Sequence, residues 1–271
     1  MKLIDTYLLA STEEARSSKG WKETHEAISN SIKAMVWPKD GTSFRIPRKF
    51  RYQTASNPKP KWRRNGVDPI KALFRTLMRH QRCLDEHKLE LDSYFKQLRD
   101  AAKVSKREIL HYPSLEPVTK LLNEGVGDFD FYYEHDSGFK TVVEWETGNI
   151  SSSHRSLNKM CMALWADLCD AAVLVLPSRE FYKHLTDRIG NVTELEPYFY
   201  FFQRVAALNH RSILAIYVVE HDELFDSHLW SDFIPSGQGG NAETDQKQPK
   251  DMIVLPASIG RDSSRKQEAS N

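Results

Sequence analysis

Two short alternating runs, "GDFDFYYEH" and "FKTVVEWE", constrain the fold of this chain more than any other feature. They are rich in aromatic and β-branched residues, and the turn sequence "DSG" between them predicts a β-hairpin. Further along, "AAVLVLPS" and "ILAIYVVEH" are continuous apolar runs, typical of strands buried on both faces. Helical patterns from about Ser152 to Asp170 and in "REFYKHLTDRIG" separate these strands. This order predicts an α/β fold in which helices flank a central mixed β-sheet.

The overall charge of the chain does not point to a partner. The sequence has 38 Lys and Arg against 37 Asp and Glu, so a charged ligand must be met by a local cluster. Three cysteines without a Cys-x-x-Cys pair argue against a disulfide framework or a closed zinc site and favour a reducing cytoplasm. No apolar run is long enough for a signal-peptide core or a membrane span. We therefore expect a cytoplasmic protein with no membrane association.

Helical periodicity covers residues 12 to 36 and, with at least one break, about residues 68 to 110. Between these segments, Arg45 to Arg64 contains eight Lys or Arg, no acid and three interleaved aromatic residues. Such a run is a solvated, partly disordered loop in one interpretation and a phosphate-contacting segment in another. Residues 236–271 are rich in Gly, Gln, Ser and charge, which predicts a flexible C-terminal tail.

Acidic residues recur on one face of the predicted hairpin. Side chains alternate along a strand, so Glu144 and Glu146 lie on the same face, and Asp130 joins them if the two strands pair across the turn. Packed carboxylates resist joint ionisation and need a compensating cation, and hard oxygen ligands are those that Mg²⁺ prefers. The alternative is an exposed hairpin with solvated acids, and the Glu-x-Glu pattern alone favours that alternative.

The segment after the acids, "NISSSHRS", begins the next predicted helix. Asn149 and the serines that follow it are candidate helix caps, and a helix N-terminus offers free N–H groups to an anion such as phosphate. Asn and Arg are also residue types that read base edges, since Asn pairs with adenine and Arg with guanine. Asn149 and Arg155 are therefore either a cap and a surface arginine or contacts to DNA bases.

Two motifs in one register identify a family resemblance. Both "VEWETGNISSSHRSLNKM" and "YKHLTDRIGNVTELEPYF" closely resemble the BamHI family of type II restriction endonucleases. Weaker similarity extends upstream, so that the resemblance covers most of residues 28–87 and 125–200. Residues from about 48 to 64 and from about 88 to 118 look like insertions. The resemblance implies a restriction-endonuclease-like α/β core in residues 1–235 and a symmetric homodimer that acts on double-stranded DNA.

The resemblance also assigns catalytic roles. It implies that Asp130 and Glu144 bind Mg²⁺ and that Glu146 accepts the proton of the attacking water or helps to hold a second metal ion. The local match favours Asp130 over Asp128 for the first of these positions. A fourth family carboxylate is expected from the helix after "DPIKALF". Its position holds His87, with Glu86 beside it. Either the helix shifts so that Glu86 reaches the metal, which makes Glu86 the candidate third metal ligand, or His87 leaves the second metal ion more weakly bound.

The resemblance implies base contacts as well. The matching residue types are retained at Asn149, Ser151, Arg155, Asp187 and Arg188, so the expected site is the palindrome GGATCC, cut by hydrolysis to leave 5′-phosphate ends. It places Lys71 near the DNA and His154 in a structural or interface role. It also implies a partner methyltransferase that protects the host genome. Two alternatives are a catalytically weakened DNA-binding protein of the same fold and an endonuclease with an altered site.

Overall fold

The computed structural model of the chain describes residues 1–80, 84–87, 129–165, 167–186, 189–206, 212–235 and 247–256. Its strands, numbered in chain order, are β1 (Lys2–Ala10), β2 (Arg45–Pro47), β3 (Phe50–Thr54), β4 (Asn57–Arg63), β5 (Leu84–His87), β6 (Phe129–Glu134), β7 (Lys140–Trp145), β8 (Ala171–Pro177), β9 (Ile213–Glu220), β10 (Glu223–Phe225) and β11 (Met252–Leu255).

The α-helices of the same residues are α1 (Glu13–Ser17), α2 (Lys19–Lys33), α3 (Asp68–His80), α4 (Ile150–Trp165), α5 (Arg179–Tyr182), α6 (Val192–Leu195) and α7 (Phe199–Ala206), and two short 3-10 helices span Glu196–Tyr198 and Trp230–Asp232. Ser18 ends α1 and caps α2, because its side chain accepts a hydrogen bond from the N–H of Trp21. None of the described helices has the length and apolar character needed to cross a bilayer.

A six-stranded mixed sheet forms the centre of the fold, in the order β1-β9-β8-β7-β6-β5. The pairs β7 with β8 and β8 with β9 are parallel, and the other three pairs are antiparallel. This arrangement confirms the predicted α/β fold with a central mixed sheet. The hairpin predicted around "DSG" is the β6–β7 pair.

The sequence did not predict the two edge strands of this sheet. β1 is paired with β9, and its irregular register breaks the simple alternation that would mark a strand. β5 lies where helical periodicity was predicted to continue from residue 68 to about residue 110. That prediction is wrong for residues 84–87, because pairing with β6 overrides the local helical pattern. Residues 88–110 lie outside the described part of the chain.

Each face of the sheet is covered by its own apolar core. β8 contributes to both cores, because its side chains alternate and all are buried. One core joins α2 and α3 to the sheet through Ile28, Ile32, Phe74, Met78, Val173 and Val175. The other joins α4 and α7 through Leu157, Met160, Leu164, Leu174, Leu176 and Phe202. Burial of each such side chain stabilises the fold by about 1.5–3 kcal/mol.

The basic stretch and part of the C-terminal segment form a separate small sheet, in the order β11-β3-β4. Its inner face packs Phe50 and Tyr52 against Trp230 and Phe233, with Met252 and Val254 alongside. The prediction of a flexible tail from residue 236 is therefore wrong for β11. Met252 and Val254, on one face of β11, find apolar partners only when the hairpin supplies them.

Asn65 connects the end of this small sheet to the body of the protein. It is fully buried, and its side-chain amide donates to the carbonyl oxygens of Pro47 (3.0 Å) and His184 (3.1 Å). Its side-chain oxygen accepts from the N–H of Ile234 (3.3 Å). A single side chain thus satisfies three buried backbone groups on different segments.

We expect Asn65→Ala to lower the free energy of unfolding by about 2 kcal/mol, because it removes three hydrogen bonds to buried backbone groups. Denaturant unfolding measures the change. Asn30→Ala on the exposed face of α2 is the matched control, with an expected change within about 0.5 kcal/mol. Equal effects of the two substitutions would contradict the structural role given to Asn65.

Candidate active site

Three carboxylates meet where β6 and β7 come together. Asp130, Glu144 and Glu146 are only 9%, 8% and 6% exposed, so the alternative of an exposed acidic hairpin is excluded. Pairing of the two strands begins at Phe131, and one oxygen of Asp130 instead accepts a hydrogen bond from the N–H of Trp145 (2.9 Å). This hydrogen bond holds Asp130 beside the end of β7, which carries Glu144 and is followed directly by Glu146.

Two lysines from separate helices compensate the negative charge. Lys71 of α3 forms an ion pair with Asp130, and Lys159 of α4 forms one with Glu144. Lys159 is 6% exposed and also lies over the ring of Phe129, 4.4 Å from its centroid. Sequence reasoning did not single out Lys159. The available signal was a lysine one turn before the buried Ala163 on the core-facing side of a helix, where a buried partner is required.

Burial dominates the electrostatics of the two glutamates. Removal from water, with repulsion from Asp130, raises the pKa of Glu144 to about 8, although Lys159 opposes this shift. Removal from water also raises the pKa of Glu146, and the hydrogen bond from the N–H of Gly148 opposes it. The site therefore binds protons more readily than free carboxylates do, unless additional positive charge is supplied.

Glu146 is held by a tight turn that leaves one of its oxygens unused. Its Oε1 accepts from the N–H of Gly148 (2.6 Å), while Oε2 is buried and makes no hydrogen bond within the described part of the protein. A side chain at residue 148 would not fit, since a Cβ there would lie 2.5 Å from the hydroxyl of Ser152 and 3.0 Å from Oε1 of Glu146. A small, mainly apolar cavity borders the same glutamate.

The three carboxylates of this site are suited to a hard divalent metal ion. Carboxylate oxygens are the ligands that Mg²⁺ prefers, and a buried oxygen without a partner is the kind of group that a cation satisfies. Within the residues described, no group of three or more acidic, His or Cys side chains is already arranged to hold a metal ion. Lysines hold two of the acids in this structure, so metal binding would require these ion pairs to rearrange.

The fourth acidic position falls on β5. Asp85 pairs with Phe131 and His87 with Phe129, so the register puts Glu86 opposite Asp130. The sequence pattern predicted a helix at this point, and an ungapped match to the family put His87 in the position of the fourth carboxylate. The strand register instead places residue 86 opposite Asp130.

The predicted base-contacting residues lie at the start of α4. Asn149, Ser151 and Arg155 are exposed, and the side-chain oxygen of Asn149 caps the helix by accepting from the N–H of Ser152 (3.2 Å). Asn149 also forms an isolated β-bridge with Ile189, which brings the second family motif alongside the first. Asp187 and Arg188, predicted in that motif, lie outside the described residues, as does Asp128.

Comparisons with known proteins show the family of the chain. The family model described as restriction endonuclease BamHI matches residues 1–241. The type II restriction enzyme OkrAI of Oceanobacter kriegii is 32% identical over 215 residues, which cover 79% of this chain and 87% of that enzyme. BamHI of Bacillus amyloliquefaciens is 28% identical over 249 residues, covering 89% and 95%. A crystal structure of the restriction endonuclease BglII with a DNA 16-mer has a TM-score of 0.48 at 10% identity, covering 82% of this chain and 79% of that one.

An α/β fold with buried carboxylates beside an exposed helix N-terminus, in a chain related to type II restriction enzymes over most of its length, defines a site-specific deoxyribonuclease. The chain belongs to the BamHI restriction endonuclease family. Its substrate is accordingly DNA, and type II restriction endonucleases generally use divalent metal ions.

Proposed function

We propose that this protein is a Mg²⁺-dependent type II restriction endonuclease that hydrolyses double-stranded DNA within the palindrome GGATCC and leaves 5′-phosphate ends. The observation that carries the proposal is the buried cluster of Asp130, Glu144 and Glu146 next to the exposed N-terminal residues of α4. Only the short turn between residues 146 and 149 separates the proposed catalytic carboxylates from the residues proposed to contact bases.

The three carboxylates have different proposed roles in hydrolysis. Asp130 and Glu144 would hold the metal ion, which lowers the pKa of a water and stabilises charge on the phosphate when it is bound. Glu146 is suited to accept the proton of the attacking water, because burial raises its pKa and its Oε2 has no hydrogen-bond partner among the described residues. Lys71 forms an ion pair with Asp130. If a metal ion replaces Lys71 at Asp130, the lysine can contact the phosphate.

Glu86 is proposed as the remaining metal ligand, in preference to His87. Its register position opposite Asp130 supports this assignment. A carboxylate also suits Mg²⁺ better than an imidazole does.

For recognition, we propose that Asn149, Ser151, Arg155, Asp187 and Arg188 contact base edges. Two arginines per subunit suit the two guanines of a half-site, and Asp187 can accept a hydrogen bond from a cytosine amino group. The exposure of the first three residues at one helix end supports this assignment. The N-terminus of α4 additionally favours a nearby phosphate.

A homodimer is proposed because a palindrome calls for two-fold symmetry. Four exposed aromatic residues lie on or beside α4 and α7, namely Trp165, Tyr198, Tyr200 and Phe201. His154 packs against Tyr198 with ring centroids 4.6 Å apart, which links this aromatic surface to α4. The predicted apolar stripe of α4 packs against the sheet of its own subunit, so these exposed aromatics are the better candidates for the subunit contact.

Such an enzyme would act in a prokaryotic cytoplasm beside a DNA methyltransferase of the same specificity. The alternative of an inactive DNA-binding protein is disfavoured by the intact Asp130, Glu144 and Glu146. The other alternative is an endonuclease with an altered site, because the segments that look like insertions relative to the BamHI family could add contacts to DNA.

The decisive experiment incubates the purified protein with Mg²⁺ and a plasmid that contains a single GGATCC, followed by sequencing of the DNA ends. We expect one double-strand cut at that site and none in a plasmid from which the site has been removed. Binding at GGATCC without cutting would instead identify the inactive binder. Cutting at another sequence would show that the specificity has changed.

A further inference from the structure

The basic stretch that the sequence left open between two interpretations is an ordered β-hairpin, β3–β4, whose inner face is anchored in an apolar core. Arg51 and Trp62 lie opposite each other on its outer face, and Lys59 and Lys61 alternate with Trp62 along β4. On β4 every residue from Asn57 to Trp62 is exposed. A solvated disordered loop is therefore excluded, and the charges occupy fixed places on a rigid element.

Most of the cations on this hairpin lack an acidic partner. Arg45 and Arg48, which precede it, pair with Glu223 and Asp226, and Arg63 is buried against Trp230. The remaining cations form no ion pair with any residue that the structure describes: Lys49, Arg51, Lys59, Lys61 and Arg64. A protein that only needed solubility would not gather unneutralised charge at one place, since the mutual repulsion has a cost.

Trp62 organises three of these cations. Its ring lies 4.9 Å from the ammonium of Lys49, 5.7 Å from the guanidinium of Arg51 and 5.9 Å from that of Arg64. Contact with the aromatic ring holds the side chains in place and leaves their charge unneutralised. The Nε–H of Arg64 is also buried without a hydrogen-bond partner in the described part of the chain. Burial, with repulsion from Arg64 and Lys183, lowers the pKa of Lys49, as expected for cations crowded together.

The base of the hairpin adjoins the surface proposed to read DNA. The N–H of Lys49 donates to Nδ1 of His184 (3.2 Å), and Asn65 forms a β-bridge with Leu185. The chain then runs on through residues 187 and 188 to Ile189, which bridges to Asn149 at the start of α4. The cationic hairpin therefore lies next to the surface that is proposed to recognise DNA.

We propose that this hairpin binds the phosphate backbone of duplex DNA next to the palindrome and extends the footprint of the enzyme beyond the bases that it reads. The inference rests on the proposed function, since it assumes DNA bound at α4. Lys and Arg that neutralise phosphates release counterions, so the hairpin adds affinity without adding sequence information. Its occupant is the DNA flank, because the hairpin is cationic, exposed along β4 and continuous with the surface proposed to read DNA.

The test compares a short duplex that ends at the edge of the palindrome with a long duplex that adds about one helical turn on each side. Affinity is measured at several salt concentrations without divalent metal, so that no cutting occurs. For Lys49→Gln/Arg51→Gln we expect about tenfold weaker binding of the long duplex, with a slope of log K against log salt that is smaller by about 1.8, or about 0.9 per lost phosphate contact. Binding of the short duplex should match that of the wild type.

Two further variants keep the result interpretable. Lys22→Gln/Lys33→Gln removes the same charge from exposed positions on α2 and should leave both duplexes and the slope unchanged. Lys59→Gln/Lys61→Gln changes only exposed side chains of β4, so folding is preserved and the long duplex should again be selectively weakened. Thermal unfolding of each variant checks that the protein is intact.

Equal losses on the two duplexes, or no loss on either, would overturn the proposal. Failure of the proposed specificity is a separate result: the wild type would then show no preference for GGATCC over a mixed sequence. Phosphate contacts do not depend on sequence, so the comparison of lengths and salt slopes would still decide the role of the hairpin.

Discussion

Glu144→Gln should reduce cleavage at the preferred site by at least about a thousandfold, equivalent to about 4 kcal/mol of lost transition-state stabilisation. The substitution keeps the size of the side chain and removes the charge that a metal ion needs. DNA binding should persist, and above about pH 8 it should tighten in the absence of metal, because the pKa of Glu144 is raised to about 8 and only there does the substitution remove a negative charge near the phosphate. Single-turnover cleavage and equilibrium binding of the same duplex separate the two effects.

Glu134→Gln is the matched control for this substitution. Glu134 lies on the same hairpin, is exposed, and accepts a hydrogen bond from the hydroxyl of Tyr132 that a glutamine oxygen can still accept. Its cleavage rate should stay within about twofold of the wild type, a difference of less than about 0.5 kcal/mol. Substantial cleavage by Glu144→Gln, or an equal loss in both variants, would show that Glu144 does not hold the catalytic metal.

The inner strands of the sheet could be predicted because their pattern is local. β8 is apolar at nearly every position, and the β6–β7 hairpin carries both alternation and a turn signal. The edge strands could not be predicted in this way. β5 exists because β6 offers a free edge, and β11 exists because the hairpin offers apolar partners, so both depend on contacts distant in sequence.

The same distinction holds for the candidate active site. Alternation along β7 was enough to group Glu144 with Glu146, and it indicated Asp130 on the neighbouring strand. The lysines that compensate these acids come from α3 and α4, and nothing local to the hairpin indicates them. Burial could not be predicted either, although it is what raises the pKa of both glutamates and separates this cluster from a solvated acidic hairpin.

Lys159→Met should destabilise the metal-free protein by about 3 kcal/mol, because it leaves Glu144 buried beside Asp130 without its cation. Methionine preserves most of the packing against Phe129. Mg²⁺ should recover much of the loss, because it supplies the missing positive charge. Denaturant unfolding above about pH 8, where Glu144 is ionised, measures both quantities with and without Mg²⁺. Lys71→Met should cost less, since the Lys71 side chain is 21% exposed and water can solvate its partner.

A double substitution tests whether the effect arises from the ion pair itself. Removing one partner of a buried ion pair leaves the other charge without compensation, whereas replacing both partners by uncharged groups often changes stability little. Lys159→Met/Glu144→Gln should therefore be more stable than Lys159→Met alone, despite carrying one more substitution. Additive losses in this cycle, or a loss below about 0.5 kcal/mol for Lys159→Met, would mean that the two side chains are not coupled. Coupling would make Lys159 the internal cation that stabilises the acid cluster until a metal ion replaces it.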